Sequence, residues 1–198
     1  MKVVLASNNA GKLVELQAML APLGMELVRQ SELGIAEAPE PFRTFLENAL
    51  TKARHASQHS GLAALADDAG LCVDAFGGRP GVNTAFYATQ FGLDKSDDNN
   101  VTALLQQLKG VSNRRAAMVS TLVALRHADD PEPLVAVGRV VGEIAPERRG
   151  SNGFGFDPVM FIPEFGKTFA ELPIEVKNAY SHRGRAAKAM LALIRERW

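Results

Sequence analysis

The stretch Leu62-Ala63-Ala64-Leu65-Ala66-Asp67-Asp68-Ala69-Gly70-Leu71-Cys72-Val73-Asp74 is an apolar run broken in its middle by two adjacent carboxylates. Its first half has the make-up of a buried strand that carries the backbone into an interior. Neighbouring acids in such a place repel one another and lose hydration unless a cation or strong donors meet them. Two readings stand at this point. One is a divalent-metal or acid–base site at Asp67-Asp68; the other is a polar turn between two strands, for which aspartate is well suited.

Upstream, residues 2–6 read as a short buried strand, and Leu13, Leu16, Met19 and Leu20 recur at helical spacing until Pro22 and Gly24. Between them lies Ser7-Asn8-Asn9-Ala10-Gly11-Lys12. A polar loop opening into a helix offers free N–H groups and partial positive charge, and Lys12 adds a full one, which suits phosphate. The alternative is that Ser7 and Asn9 only cap the helix. Neither this loop nor Gly166-Lys167-Thr168 fits the GxxxxGK[ST] phosphate-loop pattern. Residues 25–29 suggest a second strand, and residues 36–43 a loop with Glu37 and Glu40 as candidate ligands. Thr44 suits the N-cap of a helix over 45–59, with Glu47 at capping-box spacing and Phe45, Ala49, Ala53 and Ala56 on the packed face. Lys52 and Arg54 fall on different faces, so at most one of them can point into a given site. His55 and His59 read as surface residues.

Downstream, Gly77-Gly78-Arg79-Pro80-Gly81 dictates a loop, and it is no Rossmann fingerprint. A helix starting at Asp97 or Asp98 carries Val101, Leu104, Leu105 and Leu108 and ends by Gly110; its acids read as capping. Residues 115–127 and 133–145 form long strand-like runs joined by 128–132, the pattern of an antiparallel hairpin and a candidate wall for a cleft or interface. Ser151-Asn152-Gly153-Phe154-Gly155-Phe156-Asp157-Pro158 then leads into a strand over 159–162. Gly155 permits close approach, Phe154 offers a ring face and Asp157 an acceptor; a hydrophobic plug under a turn is the other reading. Lys177 precedes Ser181-His182-Arg183, which either aims several donors at one place or leaves Ser181 as an N-cap and His182 at the surface. Ala187, Met190, Leu191 and Ile194 face inward on a final helix.

A length of 198 residues allows one sizeable α/β domain, and no repeat or linker divides it. Lys+Arg and Asp+Glu both number 22, so net charge gives no sign of a nucleic acid polymer or a membrane surface as partner. Cys72 is the only cysteine, which excludes an internal disulfide and any CxxC pair and reads as a buried structural thiol. No apolar run approaches the roughly 20 residues of a membrane span, and no leader pattern opens the chain; a cytoplasmic protein is expected. The loops together offer cations for phosphates, acids for a metal or a proton, a ring for a base and donors for a base edge. That is an inventory for a nucleotide.

Ser7-x-Asn9-x-x-Lys12, Glu47-Asn48-Ala49 after Thr44-Phe45, Ala66-Asp67-Asp68-x-Gly70-Leu71, Gly153-Phe154-Gly155-Phe156-Asp157-Pro158 and Ser181-His182-Arg183 resemble the inosine triphosphate pyrophosphatase family, the non-canonical purine NTP pyrophosphatases. The matches run in order from residue 3 to about residue 190. The resemblance implies an α/β fold: one two-lobed domain over 1–198, with a long central mixed β-sheet flanked by helices and a nucleotide cleft between the lobes. It also implies a homodimer and Mg2+-dependent hydrolysis of ITP, dITP and XTP to the monophosphate and pyrophosphate. By the same resemblance Ser7, Asn8, Asn9, Ala10, Gly11 and Lys12 hold the triphosphate with support from Lys52. Asp68 is base and metal ligand, and Glu40 the second acidic metal position. Ala69 contributes substrate contact through its backbone. Phe154, Gly155, Phe156, Asp157, Lys177, His182 and Arg183 hold the base end. Four positions depart from the family pattern: Ala69 stands for a serine, Phe86 for an arginine, Pro41-Phe42 for Thr-Gly, and Phe156 for a frequent tyrosine.

Overall fold

The computed structural model describes residues Met1–Trp198, the side chain of Met19 lying outside the described residues. Among the described residues seven strands form one mixed sheet in the order β2-β1-β3-β4-β5-β6-β7. They are β1 (Lys2–Leu5), β2 (Glu26–Arg29), β3 (Ala63–Val73), β4 (Arg115–Leu125), β5 (Leu134–Ile144), β6 (Met160–Ile162) and β7 (Lys167–Thr168). The helices are α1 (Ala10–Leu20), α2 (Phe45–Ser60), α3 (Asp97–Gln107), α4 (Ile174–Tyr180) and α5 (His182–Arg197). β1 pairs in parallel with β2 and β3, whereas β6 is antiparallel to β5 and β7. Among the described residues no helix is long and apolar enough to cross a membrane.

The chain forms two compact units. The first is Met1–Asp68, Ser120–Gly138 and His182–Trp198. Its part of β3 alternates: Leu65 packs with Leu16 and Leu20 of α1 and Met190 and Ile194 of α5, while Ala64 and Ala66 pack with Ala49, Ala53 and Ala56 of α2. This is the period-2 geometry of a strand buried on both faces. Gly138 lets α5 reach β5, since a Cβ there would lie 1.9 Å from the carbonyl oxygen of His182 and 2.5 Å from the amide nitrogen of Ala186. Between β4 and β5 the buried Asp130 accepts from the backbone N–H and the guanidinium of Arg126 and from the N–H of Glu132. The Arg126 guanidinium holds its carboxyl well below the usual carboxylate range.

The second unit is Ala69–Val119 and Arg139–Ser181. Its core gathers Leu71 and Val73 of β3, Leu104 and Leu108 of α3, Val140 and Ile144 of β5, and Phe156 and Phe169. Residues 81–91, which lack a clear period in the sequence, form a 3₁₀ helix that packs with α3. Cys72 is half-buried rather than buried, because it alternates with the inward-facing Leu71 and Val73. Ser96 caps α3 by accepting the N–H of Asn99, so the helix begins one residue after that cap, at Asp97.

Candidate active site

Asp67 and Asp68 belong to one uninterrupted strand, so the turn reading is overturned. Adjacent residues of a strand point to opposite faces, and the two acids accordingly serve different neighbours. Asp67, fully buried, continues the Leu65 face: Ser120 Oγ donates to its Oδ1 at 2.7 Å, and Arg183 Nε donates to its Oδ2 at 3.0 Å. Lys12 Nζ lies 3.2 Å from the same Oδ2. Burial pushes the Asp67 carboxyl up, but Lys12 and Arg183 reverse this and hold it far below the usual carboxylate range. Arg183 Nη1 reaches Glu15 Oε2 at 2.6 Å, joining α5 to α1 through a second buried acid.

Asp68 continues the Ala64–Ala66 face toward α2, where Lys52 Nζ donates to its Oδ1 at 2.9 Å. The same ammonium reaches Glu40 Oε2 at 3.1 Å and the Asp67 carbonyl oxygen at 3.2 Å, and that carbonyl also accepts from Lys12 at 3.2 Å. Burial pushes the Asp68 carboxyl up, with the Lys52 ammonium pulling against it. Burial works against the Lys52 charge, but Asp68 and Glu40 outweigh it and hold the ammonium above its ordinary range. Lys12 goes the other way: burial lowers it, Asp67 resists, and Arg183 and Lys52 add to the lowering. A lysine held down by burial beside two cations gains most when a polyanion arrives.

The start of α1 combines both sequence readings. Asn9 caps the helix by accepting the N–H of Lys12 at 3.0 Å, and Ser7 Oγ accepts the N–H of Asn9 at 3.2 Å. Asn8, Asn9 and Ala10 remain exposed, and Ala10, Gly11 and Lys12 form the first helical turn rather than a loop. Thr44 caps α2 as its spacing predicts, accepting the N–H of Glu47 and donating to its carboxylate. That cap sets the phase of the helix that presents Lys52. Arg54 is exposed, as expected from its different face.

Among the described residues no three His, Cys, Asp or Glu side chains converge as a ready-made metal cage. Asp68 Oδ2, however, is buried without a hydrogen-bond partner, and Glu40 meets Asp68 through the shared Lys52. Mg2+ favours one or two carboxylates, with waters and phosphate oxygens completing its shell. The donor set fits such an ion and does not fit an all-protein cage.

In the second unit Asp157 organises the aromatic loop. Its Oδ2 accepts the N–H of Phe154 at 2.9 Å and pairs with Lys177 Nζ at 2.7 Å, and the ammonium lies 5.0 Å from the centroid of the Phe154 ring. Lys177 comes from α4, whose seven residues are too few to show a helical period in the sequence. Gly153, at φ +80°, is required here: a Cβ would lie 2.0 Å from Asp157 Oδ2 and 2.9 Å from Lys177 Nζ. Phe156 sits in the core of the unit, so its ring serves packing and only its backbone is left for a ligand. Ala69 is half-buried, and Phe86 is exposed with Lys95 Nζ 4.1 Å from its ring centroid. His182, predicted as a donor, is buried in the first turn of α5. Ser181 closes α4 as its C-cap. Sequence reasoning passed over Glu15 and Ser120; the one signal for Glu15 was an acid on the apolar side of α1, one residue before Leu16.

The lysines, carboxylates and helix start of the first unit thus gather in one place the kind of charge that phosphate groups attract. Residues 3–193 match the model of the Ham1 family, and the chain belongs to that family. It is 76% identical over 198 residues, the full length of both chains, to a protein of Paracidovorax citrulli (strain AAC00-1) named dITP/XTP pyrophosphatase. A protein of the same name from Albidiferax ferrireducens is 77% identical, again over the full length of both chains. Among solved structures, a HAM1 protein from Coxiella burnetii superposes with a TM-score of 0.91 at 39% identity, covering 99% of each chain.

Proposed function

We propose that this protein is a nucleoside triphosphate pyrophosphatase that hydrolyses ITP, dITP and XTP to the monophosphate and pyrophosphate with Mg2+. In this reading it is a cytoplasmic homodimer that clears deaminated purines from the nucleotide pool. The observation that carries the reading is the buried, unpartnered Oδ2 of Asp68 beside Lys52, on a strand flanked by the Lys12 helix start. The names of the full-length relatives support the same reaction and substrate class.

Lys12 and the first turn of α1 bind the triphosphate, and Lys52 orients Asp68 while neutralising phosphate charge. Asp68 Oδ2 takes the proton of a water whose oxygen attacks the α-phosphorus; the bond from that phosphorus to the α–β bridging oxygen breaks, and pyrophosphate leaves. Asp68 and Glu40 would hold Mg2+, which when bound supplies charge neutralisation at the phosphate oxygens. Phe154, Gly155, Asp157 and Lys177 serve the base, Phe154 by stacking, with His182 and Arg183 as donors for a 6-oxo group. Arg183 also locks Asp67 and Glu15. A site built on such donors rejects a 6-amino purine by up to roughly 10⁴-fold, since its buried groups go unpaired with the wrong base. The test is a panel of ITP, XTP, GTP, ATP and dTTP with Mg2+, scored for pyrophosphate. ITP and XTP are expected to lead; preference for dTTP would point to a pyrophosphatase of different base choice, and no pyrophosphate from any of them would sink the enzyme reading.

A further inference from the structure

Asp97 carries more than the charge of a helix start. Capping of α3 is already done by Ser96, whose hydroxyl accepts the N–H of Asn99, so the Asp97 carboxylate is not needed for it. That carboxylate instead reaches into the aromatic loop, where Oδ2 accepts the N–H of Gly155 at 2.9 Å. A second strut holds the approach to the loop. Arg148 Nη2 donates to the Asp98 carbonyl oxygen and to Thr102 Oγ1, both at 2.8 Å, and pairs with Asp98 Oδ1 at 3.0 Å. Residues 148–155 are thus tied at both ends to the opening turns of α3. On the other side, Asp157 accepts the neighbouring N–H of Phe154 and pairs with Lys177. Two successive amides, those of Phe154 and Gly155, are held by two different carboxylates, and Gly155 is kept in the left-handed conformation at φ +62°. With both amides fixed, the backbone that carries the Phe154 ring has little freedom.

We infer that Asp97 is a positioning residue for base recognition, setting the Phe154 ring through the amide of Gly155. The inference rests on the assignment of Phe154 to the base in the proposed function. Asparagine at position 97 keeps an acceptor oxygen and loses the charge; alanine loses both. The experiment compares wild type, Asp97→Asn and Asp97→Ala on ITP and on ribose 5-triphosphate, which has the phosphates and no base, and follows amide exchange at Gly155. Asp97→Ala is expected to raise KM for ITP about fivefold with kcat held within about twofold, the scale of one lost hydrogen bond to a charged group at a partly exposed place. Its KM for ribose 5-triphosphate stays put, Gly155 exchange quickens, and Asp97→Asn restores both readings. An equal loss on both substrates, an Asn variant as poor as Ala, or unchanged Gly155 exchange overturns the role of Asp97. A wild-type enzyme that releases no pyrophosphate removes the pyrophosphatase reading and this inference with it; an active wild type with an unmoved KM in Asp97→Ala removes the inference alone.

Discussion

Asp68→Asn is expected to cut pyrophosphate release from ITP by about 10²- to 10⁴-fold, the range over which a positioned general base contributes. The carboxylate oxygen that would take the proton, Oδ2, is buried and has no partner among the side chains around it. An amide cannot accept that proton, and it would replace one of the two carboxylates proposed to hold Mg2+ by a neutral group. The other oxygen, Oδ1, accepts from Lys52, and an asparagine oxygen can do the same, so α2 stays docked on β3. Circular dichroism and the urea midpoint are therefore expected to match wild type, and the variant retains affinity for ITP. A variant turning over within about tenfold of wild type would place the base elsewhere.

Arg183→Met is expected to lower the unfolding free energy by about 3–5 kcal/mol, the usual cost of deleting one member of a buried ion pair. Arg183 is buried, and its guanidinium lies between Asp67 at 3.0 Å and Glu15 at 2.6 Å, both themselves buried. Methionine fills much of the volume and leaves two carboxylates without the cation. Lys12 and Ser120 continue to serve Asp67, whereas Glu15 loses its charge partner in Arg183. The double replacement Arg183→Met with Glu15→Gln should recover part of the loss, because the buried Glu15 charge is removed together with the guanidinium that faced it. Urea unfolding measures both; a loss below about 1 kcal/mol in the single variant would show that Arg183 adds little to the pairing in this unit.

Much of this site was legible in the sequence because its parts lie at element starts, where chemistry and local structure coincide. Thr44 and Glu47 announce α2 and thereby the phase of Lys52, and the polar stretch ending at Lys12 announces α1. The paired acids were ambiguous for a physical reason. Asp67-Asp68-Ala69-Gly70 has the composition of a turn, and what keeps it a strand is supplied from afar: Lys12 and Lys52 upstream, Ser120 and Arg183 downstream. No local window contains those partners. The same limit hid Glu15, whose meaning depends on an arginine on the last helix, and Asp97, whose partner lies 58 residues further on. In the Phe154 loop the sequence offered the ring and the acid, and the resemblance added Lys177, but not the contacts by which that α4 lysine joins them. Alternation along β3 gives the opening pair of acids two sets of neighbours, Asp67 meeting Lys12 of α1 and Arg183 of α5 and Asp68 meeting Lys52 of α2.

Hydrolysis of ITP in ¹⁸O-labelled water, with mass analysis of both products, tests the central claim most directly. Attack at the α-phosphorus by a water that has given its proton to Asp68 puts the label in the monophosphate and leaves pyrophosphate unlabelled. Label in pyrophosphate, or inorganic phosphate as the labelled product, would contradict the account.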